Sequence, residues 1–507
     1  MLKPIYKSDG VTDSERQMSK LLNDTFLSLW SYVGPCNDRN LLTKNEGVEI
    51  CDAIVAFGNK IIIFSDKDNK FNENKDVNTS WKRWYKDSVK KSINQLYGAE
   101  SWIRNNPHRV FLDKKCQNKF PFDLSNKKLE IHLVALTKNT LEPAKKYFSQ
   151  FADGSSGTFV HMYELEEKDV MEKPFTLNDF NTEKTFVHVF DEYSIDLVIK
   201  NTGTISDFLH YLTFKEILIR KYNLSGSMGE ENFLAFYLSQ EPSLLARNEF
   251  NFDKIKQYTL SNENAVFIGE DEWDTYQNSY SCRLRRILIE KSKYWEELTT
   301  RFSDGIVTAQ VGEGAELDLA SHEVAVRTLA SENISFRALL TDAFKEKFIN
   351  VPTNKRSGRI IEPIPYKDLL YVFLLLPKDE NESVEEYVVK RNAYSQGYGL
   401  VAKYLNPKYT KVIVLATQPL GSEGRSEGVY LFEYPKVLPY KVKKTAEKLR
   451  KEQHIFNGFT DYNDLSRNHD SPFKVKKGRN DKCHCGSALK YKKCCLHTDE
   501  LLGSNYT

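Results

Sequence analysis

Two groups of residues in this 507-residue chain have the types and spacing for chemistry. The first lies near the C-terminal end, where Cys483-x-Cys485, an eight-residue loop and Cys494-Cys495 supply four thiolates. Four thiolates this close satisfy a closed, tetrahedral structural zinc site and leave no open position for catalysis. His484 and His497 are alternative ligands that a four-cysteine set does not need. Disulfides are the weaker reading, because Cys-x-Cys and Cys-Cys rings are strained. The segment is too short to bury a core, so the metal itself must organise it. The second group occupies residues 48–67, V-E-I-C-D-A-I-V-A-F-G-N-K-I-I-I-F-S-D-K. Two apolar, β-branched runs flank Gly58-Asn59, a pair that suits a tight hairpin turn. A two-residue turn pairs Phe57 with Lys60, and so on down to Asp52 opposite Ser65. Period-two alternation then places Asp52, Ser65 and Lys67 on one face with Ile50, Ile54, Ile61 and Ile63. Glu49, Cys51 and Asp66 fall on the other face. A carboxylate and an ammonium at the end of strands that are otherwise apolar on both sides mark a candidate site.

An acid on one strand, a hairpin, then an acid-x-lysine on the next resembles the PD-(D/E)xK nuclease superfamily. The resemblance covers about residues 10–113. It implies that acids hold Mg²⁺ or Mn²⁺ while the lysine positions or activates the attacking water. A divalent cation stabilises charge on a phosphate and an ammonium assists the nucleophile, which fits phosphodiester cleavage. Asp52 and Lys67 match the pattern. The second acid does not, since Ser65 stands two residues before the lysine, leaving Asp66 and Glu49 as the remaining candidate acids. Asp66 reaches the Asp52 face only if a bulge re-aims it. The C-terminal stretch G-R-N-D-K-C-H-C-G-S-A-L-K-Y-K-K-C-C, 478–495, closely resembles the SEC-C motif, known from the tail of the protein-translocation motor ATPase. That resemblance implies zinc and contact with proteins, ribosomes or nucleic acid. The chain is not the motor itself, for it has no P-loop.

Around these groups the periodicity predicts a helix over 12–33, with Met18, Leu21, Leu22, Phe26, Leu29 and Trp30 at helical spacing, stopped by Gly34-Pro35. After a polar loop, 81–103 reads as a helix striped by Trp81, Tyr85, Ser88, Ser92, Gln95, Ala99 and Trp102, whose small central residues permit close approach to a sheet. Gln95 can reach the site from that helix, although such a glutamine also serves as a structural hydrogen bonder. Residues 108–113 read as a strand. Helix, hairpin, helix, strand is the order the nuclease resemblance implies. Further on, 128–136 and 159–163 read as strands, and 185–190 with 195–200 as a strand pair around Asp191-Glu192. A helix spans 205–222. These elements either extend the first sheet or form a second unit. Residues 230–348 are helical in pattern, with clear pieces at 231–238, 280–302 and 322–348. Their aromatics Trp273, Tyr276, Tyr280, Tyr294 and Trp295 read as core rather than as base-stacking platforms. Residues 366–432 switch to strand, helix, strand, strand. The loop G-S-E-G-R-S-E-G, 421–428, lacks a phosphate-binding pattern and reads as a connector.

The expectation is therefore a multidomain α/β protein. Its parts are a restriction-endonuclease-like core at 1–150, an α/β extension at 151–229 and a helical region at 230–350. A second α/β unit at 351–456, a basic linker at 457–477 and the zinc motif at 478–497 follow. Apolar content of 40% and charge of 28% are those of an ordinary folded protein. The longest compact apolar run, 369–376, is too short to span a bilayer, and the first residues lack the apolar core of a signal peptide. Cys36, Cys51, Cys116 and Cys282 are scattered rather than patterned, which favours a reducing cytoplasm. The net charge of +2 hides an asymmetry: residues 436–493 hold sixteen Lys/Arg against six acids. A basic end on a mildly acidic body suits a phosphate-bearing partner, DNA or RNA, or simply solubilises the chain.

Two functions follow. One is a cytoplasmic, metal-dependent nuclease whose zinc-bearing basic tail delivers it to nucleic acid, with defence against foreign DNA as the family-level expectation. The other is a non-catalytic adaptor whose SEC-C tail docks on a protein or ribosome. The cysteine spacing itself yields a test. Metal analysis of protein purified under reducing conditions should find about one Zn²⁺ per chain. Cys494→Ser/Cys495→Ser should release it while far-UV circular dichroism of the body is unchanged. Zinc-free wild-type protein would refute the site.

Overall fold

Gly58 takes φ +65° and leads a two-residue loop that folds Ala53–Phe57 back onto Lys60–Lys67. At that φ a glycine avoids backbone strain, whereas the nearest atoms to a Cβ there belong to the flexible Arg327 side chain, which could shift aside. Phe57 pairs with Lys60 and Ala53 with Phe64, the register that the turn residues predict. The structure, a computed structural model, describes residues 2–151, 154–239, 266–311, 318–362, 368–421, 426–456, 478–481 and 490–493. It is a mixed α/β chain whose backbone divides into two units, Met1–Ser281 with Arg285–Ala338, and Cys282–Leu284 with Leu339–Thr507. No described helix is long and apolar enough to cross a membrane.

In the first unit, α1 spans Asp13–Phe26 and opens with a capping box between Thr12 and Glu15. Leu27, at φ +67°, ends it. The predicted continuation to residue 33 is not helical: Ser31–Val33 forms β1, which pairs antiparallel with Ala53–Phe57, here β2. Trp30 and Leu29 keep a helical spacing but are buried, Trp30 edge-on against Phe57 at 4.8 Å. Tertiary burial, which spacing cannot distinguish, decides that stretch. Lys60–Lys67 is β3. The helix predicted over 81–103 runs as α2 (Val77–Tyr85), a π-helical turn (Lys86–Lys90) and α3 (Lys91–Asn105). Of the small residues in its stripe, Ser88, Ser92 and Ala99 are buried.

The expected strand at 108–113 is reduced to isolated bridges at Phe111. The third strand of the hairpin sheet is instead β4, Glu130–Thr137, parallel to β3 with an unbroken register from Lys60↔Glu130 to Lys67↔Thr137. A parallel partner needs a long crossover, and α2–α3 with the loop after it supplies one. Beside β4 runs β5, Val187–Asp191, also parallel, so the sheet order is β1-β2-β3-β4-β5. The strand expected at 195–200 is a helix, α4 (Glu192–Thr202). Asp191 caps it by accepting from the Tyr193 and Ser194 N–H groups, and Gly203 ends it at φ +71°. Helix α5, Ile205–Tyr222, has the predicted bounds. Strands at Val160–Met162, Thr176–Leu177, Leu224–Ser227 and Val266–Ile268 form a second, small sheet. The two openings left by the sequence are thus both taken: β5 extends the first sheet, and the others build a separate one. The pattern over 322–348 is two helices, Leu319–Ala330 and Ile334–Asn350. Trp273, Tyr276 and Trp295 are buried, as core residues should be.

One face of the hairpin sheet carries Ile54, Ile61, Ile63, Leu133 and Val189 in a single cluster with Leu96, Ala99 and Ile103 of α3. On the other, Phe64 meets Phe26 of α1 at 6.1 Å, and Phe26 meets Phe208 of α5 at 5.1 Å. The sheet is covered on both sides, which explains strands apolar on both faces.

In the second unit β6 (Ser357–Ile361), β7 (Leu369–Leu375), β8 (Lys411–Thr417) and β9 (Glu427–Glu433) lie in that order. Only β7 and β8 are parallel, joined through α6, Val384–Leu405, which packs Tyr398, Val401 and Ala402 on Leu370, Val372, Val412 and Val414. Helix α7, Tyr440–Glu452, buries Ala446 and leaves Lys441, Lys444, Lys448 and Lys451 exposed. Ile54 and Ile63 are fully buried between the hairpin and α3. Ile63→Ala should therefore cost about 2–5 kcal/mol in chemical denaturation of the first unit; a loss below about 1 kcal/mol would mean that this face is not tightly packed.

Candidate functional site

The open end of the hairpin is where its main-chain pairing changes hands. Val48–Glu49 pairs with Cys36–Asn37, and the Ile50 N–H donates to the Pro35 carbonyl at 2.8 Å. Asp52 accepts the Gly34 N–H at its carbonyl (2.9 Å) and donates its own N–H to Phe64 (3.2 Å). Residues 50–52 therefore stand between two ladders and do not continue the alternation of β2.

That break corrects one expectation. Alternation places Glu49 on the face away from Asp52, but the structure hydrogen-bonds the two carboxyl groups to each other. Glu49 is exposed to a cavity yet largely surrounded by protein. Burial, then the charges of Asp52 and Glu15, push its carboxyl up to about 7. Asp52 accepts the Asp66 N–H at Oδ2 (2.7 Å), and the same oxygen lies 3.6 Å from Lys67 Nζ. Lys67 Nζ donates to Gln95 Oε1 on α3 at 2.7 Å. Asp52 and Lys67 thus share a face and meet, as the register implies, and Gln95 reaches them from the helix.

Ser65 is fully buried, its hydroxyl 3.1 Å from both Ser92 Oγ and Gln95 Oε1. Asp66 lies on the opposite face. No bulge re-aims it, since the β3–β4 register is continuous. Its Oδ2 accepts from Ser14 Oγ at 2.6 Å and from Lys138 Nζ at 2.9 Å, tying α1 to the sheet. Its Oδ1 is buried with no hydrogen-bond partner. Asp66 is therefore separated from the Glu49–Asp52 pair. Among the described residues no group of three His, Cys, Asp or Glu is disposed to hold a metal ion.

A cavity of about 590 Å³ reaches Glu49 but not Asp52, and its lining includes Tyr6, Glu15, Asp113, Lys114 and Lys115. Sequence reasoning missed Glu15 and the two lysines. Glu15 reads locally as a helix cap, which it is, accepting from the Val11 and Thr12 N–H groups. The lysines sit in a loop without periodicity.

Cys483, Cys485, Cys494 and Cys495 lie outside the described residues, as do His484 and His497. The described residues beside them are joined: the Tyr491 N–H donates to the Asp481 carbonyl at 2.8 Å and the Lys492 N–H to Arg479 at 3.0 Å. Tyr491 is fully buried. The described cysteines, Cys36, Cys51, Cys116 and Cys282, are free thiols.

A family model described as the SEC-C motif matches residues 479–496. No curated protein and no solved structure matches the chain.

The Glu49 carboxyl yields a stability test. Its folded value of about 7 exceeds its ordinary 4.5, so the folded chain retains a proton that the unfolded chain releases between those values. Stability contributed here is present at low pH and is lost as pH rises towards about 7. Glu49→Gln should flatten that fall. In thermal unfolding the variant should gain more over the parent near pH 8 than near pH 5, and an equal difference at both would refute the assignment.

Proposed function

We propose that the chain is a divalent-metal-dependent nuclease whose C-terminal motif binds zinc and whose basic end contacts nucleic acid. The observation that carries this reading is the meeting of Glu49, Asp52 and Lys67 at one end of the hairpin, with Gln95 bracing the lysine. Two carboxyl groups in hydrogen-bonding contact repel once both ionise, and a divalent cation relieves that repulsion. Glu49 and Asp52 are the residues that would hold Mg²⁺ or Mn²⁺. When bound, the cation would polarise the phosphate and stabilise the charge that develops on it. Lys67 Nζ, held by Gln95 and facing Asp52, would orient the attacking water and supply positive charge beside the phosphate. The order helix, hairpin, helix, parallel strand supports a PD-(D/E)xK-like reading, with Glu49 standing for the acid missing at Ser65.

For the tail, the SEC-C match supports zinc held by Cys483, Cys485, Cys494 and Cys495. The exposed lysines of α7 support contact with phosphates. A non-catalytic adaptor is favoured by one observation: Ser65 is sealed against Ser92 and Gln95, and among the described residues no group of three acids, histidines or cysteines is disposed to hold a metal ion.

Cleavage assays on single- and double-stranded DNA and RNA with Mg²⁺ or Mn²⁺ separate the two. Asp52→Ala and Lys67→Ala should each reduce cleavage at least about a hundredfold while leaving binding by the basic end intact. If the unmutated protein cuts none of these substrates, or Asp52→Ala cuts equally well, the adaptor reading stands.

A further inference from the structure

A buried guanidinium in the second unit has no counter-charge. Arg391 lies in the first half of α6 and is 4% exposed. Its Nη1 donates to Ser426 Oγ at 2.6 Å and its Nε to the Tyr430 hydroxyl at 3.2 Å. The Tyr387 ring, one turn earlier on the helix, lies 5.7 Å from the guanidinium carbon. None of these groups is an anion, and no carboxylate pairs with Arg391 among the described residues.

The surroundings supply no substitute. Lys390, the next residue back, takes Glu382 at 2.6 Å and Asp379 at 3.0 Å. Alternation along β9 sends Gly428 and Tyr430 to the α6 face and Glu427 to the other. Lys403, equally buried on the same helix, spends its three donors on the Pro407, Tyr409 and Lys436 carbonyls. Arg391 is not saturated in that way. A guanidinium has five N–H donors, and those on Nη2 make no hydrogen bond among the described residues. Unlike the Ser395 hydroxyl one turn on, Nη2 is not sealed from solvent.

The position in the fold is also that of a ligand site. Tyr387 donates its hydroxyl to the Leu376 carbonyl just beyond β7 at 3.0 Å, and the Leu376 N–H donates to Thr417, the last residue of β8, at 2.9 Å. β9 opens opposite Thr417, with Ser426 immediately before it. The guanidinium therefore stands at the carboxyl ends of the parallel pair β7–β8, the edge at which open α/β sheets receive ligands. Gly428 lets it come close to β9: a Cβ there would stand 3.1 Å from Nε.

Buried charges are normally paired. A cation would be repelled here, and a neutral ligand would leave the guanidinium uncompensated. An oxyanion meets the planar fork of N–H groups directly. The Ser426 hydroxyl, whose oxygen accepts from Nη1, keeps its own proton to donate.

We propose that Arg391 anchors a binding site for a small oxyanion, a phosphate or carboxylate group, at the carboxyl ends of β7 and β8. Nη2 and the Ser426 hydroxyl donate to it. The site lies within the second unit and does not depend on the nuclease reading.

The test is isothermal titration calorimetry of the full chain with inorganic phosphate and, separately, acetate, at constant ionic strength. At least one of the two should bind saturably, about one per chain, and which one identifies the group recognised. Arg391→Met should weaken that binding about tenfold or more, and Ser426→Ala about threefold. Lys444→Ala/Lys448→Ala, on α7, should leave it unchanged. If far-UV circular dichroism shows that Arg391→Met fails to fold, the partly exposed Ser426 carries the test. Absence of saturable binding of both anions to the unmutated chain would overturn the site. So would affinity unchanged in every folded Arg391 and Ser426 variant, or a loss confined to the α7 variant, which would place the anion on the lysines of that helix.

Discussion

Alternation of side chains along the hairpin is the constraint on which the rest depends. It sends Ser65 and Lys67 towards α3 and Asp66 towards α1, and no bulge relaxes it. Each polar group at the end of β3 must then find partners on its own side. Ser65 and Lys67 find Gln95 and Ser92; Asp66 finds Ser14 and Lys138. Only where alternation lapses, between Glu49 and Ala53, does a carboxyl group cross to the other set.

The lapse has a cause in main-chain pairing. A strand that leaves one partner and joins another passes through residues bonded to neither ladder in regular order, and those residues orient freely. Here Ile50 bonds to Pro35 and Asp52 to both Gly34 and Phe64. The helix opposite is equally adapted. Ser88, Ser92 and Ala99 let it approach the sheet; Ser92 gives Ser65 of β3 a partner, and Ser88 accepts from Asn69 just beyond the strand.

Electrostatics then separates the acids by role. Asp66, beside Lys138 and Ser14, ties α1 to the sheet, so its loss would be felt mainly as a loosened helix. Glu49 and Asp52 have the opposite situation: like charges in contact, with burial adding to the cost. An arrangement that raises a carboxyl to about 7 is a standing cost to the fold unless a cation or substrate makes use of it.

Much of this was legible from residues alone because the signals are local. Gly58-Asn59 determines a turn, the turn determines the register, and the register puts Asp52 with Lys67. The long helices at 205–222 and 384–405 and the strand at 369–375 declare themselves by period and length. The cysteine spacing identifies the SEC-C motif without any fold around it. Tertiary structure decided what depends on partners distant in sequence. Trp30 lies in the turn before β1, not in a helix, because Phe57 and Glu323 receive it, although its spacing is helical. Residues 195–200 are helical because Asp191 caps them, a role that a turn residue between two strands conceals. β4 rather than 108–113 lies beside β3, since either segment is apolar enough and only the crossover geometry chooses. Glu49 meets Asp52 for the same reason: a change of main-chain partner has no signature in the order of side chains, only in the packing that imposes it.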